Sequence, residues 1–328
     1  MSFVFSFRCA LSCAVFLMLV GCGGLPSPSM SPISASGAMA RGTSPAWKRA
    51  TSLFISGDVE WVDVLTYPQG KVVGGFGNLA PKGLCADSTG DVFVTNGGNA
   101  DILIFGRGDL GPPTVLKDPG FYADECAVDP TTGNLAVANA ATLESKAGSV
   151  AVYTSFPSGT RTLYTIPKFY WYYYCAYDDK GNLFVDGTNN VAPYYPVTLA
   201  ELAKGSSRFT LIKVHKKLTS PGSMQWDGKY MALGDPDAGK LYRLQINGSR
   251  ATIVSSTKFP GHKPLGQFWL TPVTALGKYR GKLLISQECC GGSNYRLGYW
   301  KYPAGGRPIK SISGFSGIYG VALSVGTN

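Results

Sequence analysis

Short apolar runs alternate with polar turns along most of the chain, in one recurring plan of apolar run, aspartate-to-glycine turn and second apolar run. The fullest copy is Gly83-Leu84-Cys85-Ala86-Asp87-Ser88-Thr89-Gly90-Asp91-Val92-Phe93-Val94-Thr95-Asn96, with a further apolar run at Asp101–Phe105. The plan returns at Ala127–Val137, at Ala176–Val185 and, more loosely, at Gln225–Leu233. Its turn aspartates stand at 87, 129, 178 and 227, so the spacings are 42, 49 and 49 residues. Aspartate at the first turn position bonds backbone two residues on, and glycine supplies the left-handed conformation that closes the turn. Each copy therefore predicts a hairpin. Val92-Phe93-Val94 and Ile102–Phe105 are continuously apolar rather than alternating, the pattern of strands covered on both faces. A period of this length made of several short strands predicts a β-propeller.

Inner hairpins are expected at 84–95, 126–138, 175–186, 224–233 and 269–286. Near the start, Ser52–Ser56, Val59–Tyr67 and Lys71–Val73 read as three strands of a first blade that lacks its innermost strand. The terminal run Tyr319–Val325 matches that missing strand. The expected fold is all-β, a six-bladed β-propeller over residues 50–328, closed by pairing of its N- and C-terminal strands so that no sheet edge stays open.

Composition adds a charge asymmetry. The chain has 328 residues, 45% hydrophobic, with 42 Gly and 21 Pro, which suits a turn-rich folded domain. Net charge is +10, and residues 201–328 hold 18 basic against 5 acidic side chains, so one side of the disc is expected to be basic and to favour an anionic neighbour.

Residues 1–21 have the form of a signal peptide, with Arg8 before an apolar run from Cys9 to Val20 that is too short for a stable membrane span. The sequence Leu19-Val20-Gly21-Cys22 resembles the lipobox of bacterial lipoproteins. The resemblance implies cleavage before Cys22, acylation of that cysteine and a bacterial envelope address. Gly23 in place of Asp favours the outer membrane. Residues 22–49, rich in Ser, Pro, Gly and Ala, read as a disordered tether. This address excludes nucleic acid as a partner, and a monomer held to the membrane by lipid alone is expected.

The Asp-turn-Gly-Asn-Leu-Phe-Val signature is similar to that of NHL-repeat and gluconolactonase-like propellers. The resemblance covers about residues 50–326 and specifies fold more than function. It implies a binding face made of loops entering each inner strand and leaving each second strand. The candidate mouth residues are Asn96, Glu125, Asn139, Tyr173, Tyr174, Asn189, Asp235, Gln267 and Glu288. Converging oxygen ligands would suit a divalent cation such as calcium, although short polar residues also cap strand ends. The aromatic run Phe169–Tyr174, with Tyr194 and Tyr195, suits stacking on sugars or peptide side chains.

The two histidines, His215 in a lysine-rich run and His262 in a Pro-Gly loop, build no Ser-His-Asp or Cys-His device. The expected function is non-catalytic binding of a small molecule, glycan, peptide or envelope protein at the central mouth. The rival is a metal-dependent lactonase-like hydrolase, or a single-base lyase using His262. Cys85, Cys126 and Cys175 are expected to be buried free thiols, and Cys289-Cys290 offers a vicinal disulfide.

Overall fold

The structure, a computed structural model, describes residues 40–41 and 51–325 apart from 58–59, 110, 157, 192–194, 261–265, 277 and 289–294. Among these residues the strands form four-stranded antiparallel meanders arranged in sequence order. The first consists of Ser52–Ser56, Trp61–Thr66 and Val72–Gly77. The second runs through Pro81–Ala86, Val92–Asn96, Asp101–Phe105 and Thr114–Lys117, and the third through Phe121–Val128, Leu135–Thr142, Ala147–Tyr153 and Arg161–Tyr164. Trp171–Tyr177, Leu183–Thr188, Val197–Leu202 and Thr210–Val214 make the fourth. Met224–Trp226, Met231–Asp235, Lys240–Asn247 and Arg250–Lys258 make the fifth. The last is Phe268–Leu270, Leu283–Glu288, Tyr295–Lys301 and Gly305–Phe315.

The first meander acquires its fourth strand from the other end of the chain. Ser52–Ser56 pairs antiparallel with Gly320–Ser324, from Ser52 opposite Ser324 to Ser56 opposite Gly320. This is the closure expected from the sequence. The fold is a β-propeller.

The turn chemistry is the same at four inner hairpins. One carboxylate oxygen of Asp87, Asp129, Asp178 and Asp227 accepts the N–H two residues later, from Thr89, Thr131, Lys180 and Lys229, at 2.8 to 2.9 Å. Gly181 closes its turn at φ 84°, and a Cβ there would stand 3.0 Å from the Asp129 carboxylate of the neighbouring hairpin. Glycine is needed at that turn on both counts.

The strands Ser52–Ser56, Val92–Asn96, Met231–Asp235 and Gly320–Ser324 are buried at every position. Their apolar side chains fill the gaps between successive sheets. Phe54, Val64 and Phe76 of the first pack on Leu84, Val94 and Phe105 of the second. Similar clusters join each following pair, and Leu53, Ile55 and Leu323 pack against Leu283, Leu297 and Tyr299 to connect the last meander with the first. Each fully buried Leu, Ile, Val or Phe contributes about 1.5–3 kcal/mol. The packing energy is thus distributed around the ring.

Three features differ from a plain repeat. A small hairpin, Thr274–Leu276 with Tyr279–Gly281, is inserted between the first two strands of the last meander, which accounts for the length of the inner hairpin expected at 269–286. The outer strands of the fourth and fifth meanders pair in parallel, Lys213 opposite Arg250. Ala40 and Arg41, within the stretch read as tether, pair with Phe76 and Gly75 on the outer edge of the first sheet.

The expectation of free thiols at Cys85 and Cys126 is corrected. They form a disulfide with Cα atoms 5.6 Å apart, while Cys175 is a buried free thiol. Neighbouring inner strands converge so closely at the axis that they enter the range a disulfide spans. Cys22, Cys289 and Cys290 lie outside the described residues.

Candidate functional site

The starts of the inner strands meet at the axis, where Gln267, immediately before Phe268–Leu270, connects four meanders. Its Oε1 accepts the N–H of Val321 at 2.7 Å and of Leu84 at 3.2 Å. Its Nε2 donates to the Leu84 carbonyl and to Glu125 Oε1. Two glycines make room for this arrangement. A Cβ at Gly83 would lie 2.6 Å from Glu125 Oε2, and one at Gly320 would lie 2.5 Å from Gln267 Oε1.

Glu125 also accepts the N–H of Cys126 at 3.2 Å. Burial pushes its carboxyl well above the usual range, against that hydrogen bond and assisted by the charges of Asp124 and Asp186. Asp186, fully buried, accepts the N–H of Tyr174 at 3.0 Å on Oδ1 and that of Gly222 at 2.9 Å on Oδ2. Burial nevertheless raises it to about 8, and Asp124 adds to the rise. Asp124 is half-buried, and desolvation lifts it to about 6 while Lys82 pulls the other way.

Tyr173 is raised to about 12, chiefly by burial, with its hydroxyl bonded to Thr188. Tyr174 is raised further, again by burial first and then by Asp124, Glu125 and Asp186. The Lys82 ammonium lies 4.7 Å over the Tyr319 ring. The result is a committed floor of Glu125, Gln267 and Asp186 under a half-buried rim of Lys82, Asp124, Tyr173 and Tyr174. Beneath it, an axial cavity of about 300 Å³ runs along the inner strands past Cys126, Cys175 and Ser223 to Tyr177, Trp226 and Trp269.

Of the sequence candidates, Glu125, Gln267, Tyr173 and Tyr174 come together. The remaining five are engaged in other bonds. Asn96 accepts the N–H of Ala80 at 2.6 Å and donates to Asp101 at 2.8 Å, fixing the loop into its own meander. Asn139 is buried and reaches Ser149 Oγ at 3.4 Å. Asn189 accepts the N–H of Val191 at 3.1 Å in a local turn. Asp235 accepts from the Thr219 hydroxyl and from the N–H groups of Thr219 and Ser220. Glu288 pairs with Arg296 at 2.9 Å and accepts from Ser311. Each satisfies a loop or an outer strand, as buried carboxylates and amides must.

Asp186, Asp124 and Lys82 belong to the site and were not singled out from the sequence. The repeat held a signal for the first: Asp186 lies eight residues after turn Asp178, as Asp235 lies eight after Asp227. Asp124 and Lys82 carry no comparable signal. Among the described residues, no group of three or more His, Cys, Asp or Glu is placed to hold a metal ion. His215 is exposed, and His262 and Tyr194 lie outside the described residues.

No protein-family model matches the chain, and no curated protein matches it. Solved structures do. A chain of a nidogen/laminin complex is similar with a TM-score of 0.61 and 12% identity, covering 85% of this chain and 100% of that one. A Bacteroides caccae protein of unknown function is similar with a TM-score of 0.58 and 13% identity, over 84% and 99% of the two chains. A catalytically inactive virginiamycin B lyase from Staphylococcus aureus, crystallised with quinupristin, is similar with a TM-score of 0.51 and 14% identity, over 83% and 79%. At these identities the shared property is the propeller fold.

Proposed function

We propose that this chain is a lipid-anchored envelope protein whose meanders are the six blades of a propeller, and that its axial mouth binds a ligand without catalysis. The observation that carries the reading is the division of the mouth into a fully buried, bonded floor and a half-buried rim. Glu125 is tied to Gln267 and the Cys126 N–H, and Asp186 to two backbone N–H groups. A general acid or base must be able to reach the proton it moves, and carboxyls fixed this way serve the architecture instead. The rim offers one carboxylate, one ammonium and two phenol rings, which suits a ligand with a hydrogen-bonding edge and an apolar face, such as a glycan or a peptide.

The lipobox-like Leu19-Val20-Gly21-Cys22 supports the anchor. The Cys85–Cys126 disulfide supports an oxidising compartment. Palmitate labelling of the full chain and of Cys22→Ser tests this: label and membrane association are expected in the first and lost in the second. Unchanged fractionation of Cys22→Ser would remove the anchor.

Ligand binding is tested by thermal-shift screening of glycans and peptides against wild type, Asp124→Asn and Tyr173→Ala. A shift abolished in both variants, with their own melts intact, is the expected result. A ligand that stabilises all three equally binds elsewhere. Turnover of a lactone or cyclic depsipeptide, lost in His262→Ala, would replace the binding reading with a hydrolase or lyase.

A further inference from the structure

The mouth and the axial cavity are separated by a partition. Gln267 Nε2 donates to Glu125 Oε1 and to the Leu84 carbonyl, so bonded side chains join the last meander to the third and second across the axis. Below them the cavity of about 300 Å³ is walled by buried side chains of the inner strands, among them Cys126, Met224 and Phe268. Its lining ends at Pro130 and Asp179, exposed residues of two hairpin turns, so it opens on the face that carries the turns. Tyr177 and Trp226, each the last residue of its inner strand, line that end together with Trp269, and all three are half-buried. Gln225 Oε1 accepts the N–H of Leu270 at 2.5 Å, which fastens the strand of Trp226 to the strand of Trp269.

The lining favours a neutral ligand. Asp178 commits its carboxylate to its own turn, accepting the N–H groups of Lys180 and Asn182 at 2.9 Å and Asn182 Nδ2 at 2.8 Å. Burial holds the Glu125 carboxyl well above the usual range, which favours its uncharged form. One polar atom is left over: Trp226 Nε1 is buried with no hydrogen-bond partner among the described residues. Buried donors are normally paired, and a ligand with an acceptor would pair this one. An apolar cavity of about 150 Å³ holds benzene. One of about 300 Å³ has room for two fused rings.

We propose that the axial cavity is a second binding site, entered from the turn face, for a flat, neutral bicyclic molecule. The molecule packs against Tyr177, Trp226 and Trp269 and accepts a hydrogen bond from Trp226 Nε1. The proposal stands whatever the mouth binds, because the Gln267–Glu125 pair lies between the two sites.

The test is isothermal titration of the full chain with coumarin, which carries a carbonyl acceptor, and with indole, which is similar in shape but has a donor in its place. Coumarin is expected to bind at least about fivefold more tightly than indole, the worth of one neutral hydrogen bond. Trp226→Phe keeps an aromatic face but removes the N–H, and is expected to erase that difference, whereas Tyr173→Ala at the mouth preserves it. No coumarin binding to folded wild type overturns the proposal, as does a difference that survives Trp226→Phe or vanishes in Tyr173→Ala. If Trp226→Phe does not fold, a wild-type crystal soaked in coumarin decides instead. Coumarin beside Trp226 and Trp269 upholds the site, and coumarin in the mouth alone or nowhere overturns it.

Discussion

Replacing Gln267 with alanine removes four hydrogen bonds at one point on the axis: two accepted from Val321 and Leu84, and two donated to Leu84 and Glu125. At about 1 kcal/mol each, they make a gross loss of about 4 kcal/mol. The site adjoins the axial cavity, so water can enter the space and satisfy part of what is exposed. A net destabilisation of about 2–3 kcal/mol follows, and for a domain of this size that lowers Tm by about 4–12 °C. The measurement is a thermal melt by circular dichroism at several scan rates, since a slow irreversible step would make Tm depend on rate. Gln267→Glu is the companion. It keeps the shape but places a second carboxyl against Glu125, so its deficit relative to wild type is expected to shrink as pH falls and the introduced group regains a proton to donate. A Tm for Gln267→Ala within about 2 °C of wild type would refute the view of Gln267 as an axial tie.

Two other outcomes are expected. Asp186 and Asp124 have folded-state pKa values raised to about 8 and about 6, so each holds its proton more tightly folded than unfolded. Their contribution to stability is complete below the ordinary aspartate range and is lost as pH rises through those values. Wild-type Tm should therefore fall between pH 5 and 9, and Asp186→Asn, which cannot ionise, should flatten the upper part of that fall. Parallel profiles for the two proteins would show that Asp186 does not titrate there. Cys126→Ser abolishes the Cys85–Cys126 bridge. With Cys85 and Cys126 separated by 41 residues, the chain-entropy estimate for the lost cross-link is about 4 kcal/mol. The urea midpoint should fall accordingly, and an unchanged midpoint would contradict the estimate.

The repeat was legible because local chemistry makes it. An aspartate, a glycine and two apolar runs suffice for each hairpin, and the same bonds recur at Asp87, Asp129, Asp178 and Asp227. The ring closure was legible because the terminal run lacked a partner of its own. The site was only partly so. Glu125 and Gln267 were found from their register at the start of inner strands, and Tyr173 and Tyr174 from an aromatic run. Asn96, Asn139 and Asp235 occupy the register of a mouth, but their side chains bond loops and outer strands, and a single sequence does not say which way a short polar group turns. The disulfide was missed for a similar reason. Its geometry depends on how closely two strands 41 residues apart converge, which is a property of the closed ring.

The pairing of Ser52–Ser56 with Gly320–Ser324 also sets a timetable for biosynthesis. Among the described residues, the strand that completes the first sheet is made after every other strand, so the earliest sheet waits, with an unpaired edge, until Gly320–Ser324 has emerged. A polypeptide halted before residue 320 exposes the backbone edge of Ser52–Ser56, with its otherwise buried Leu53 and Ile55, a ready template for a second unfinished copy. Quality control acting on this protein therefore has a late checkpoint, the arrival of the five residues Gly320–Ser324.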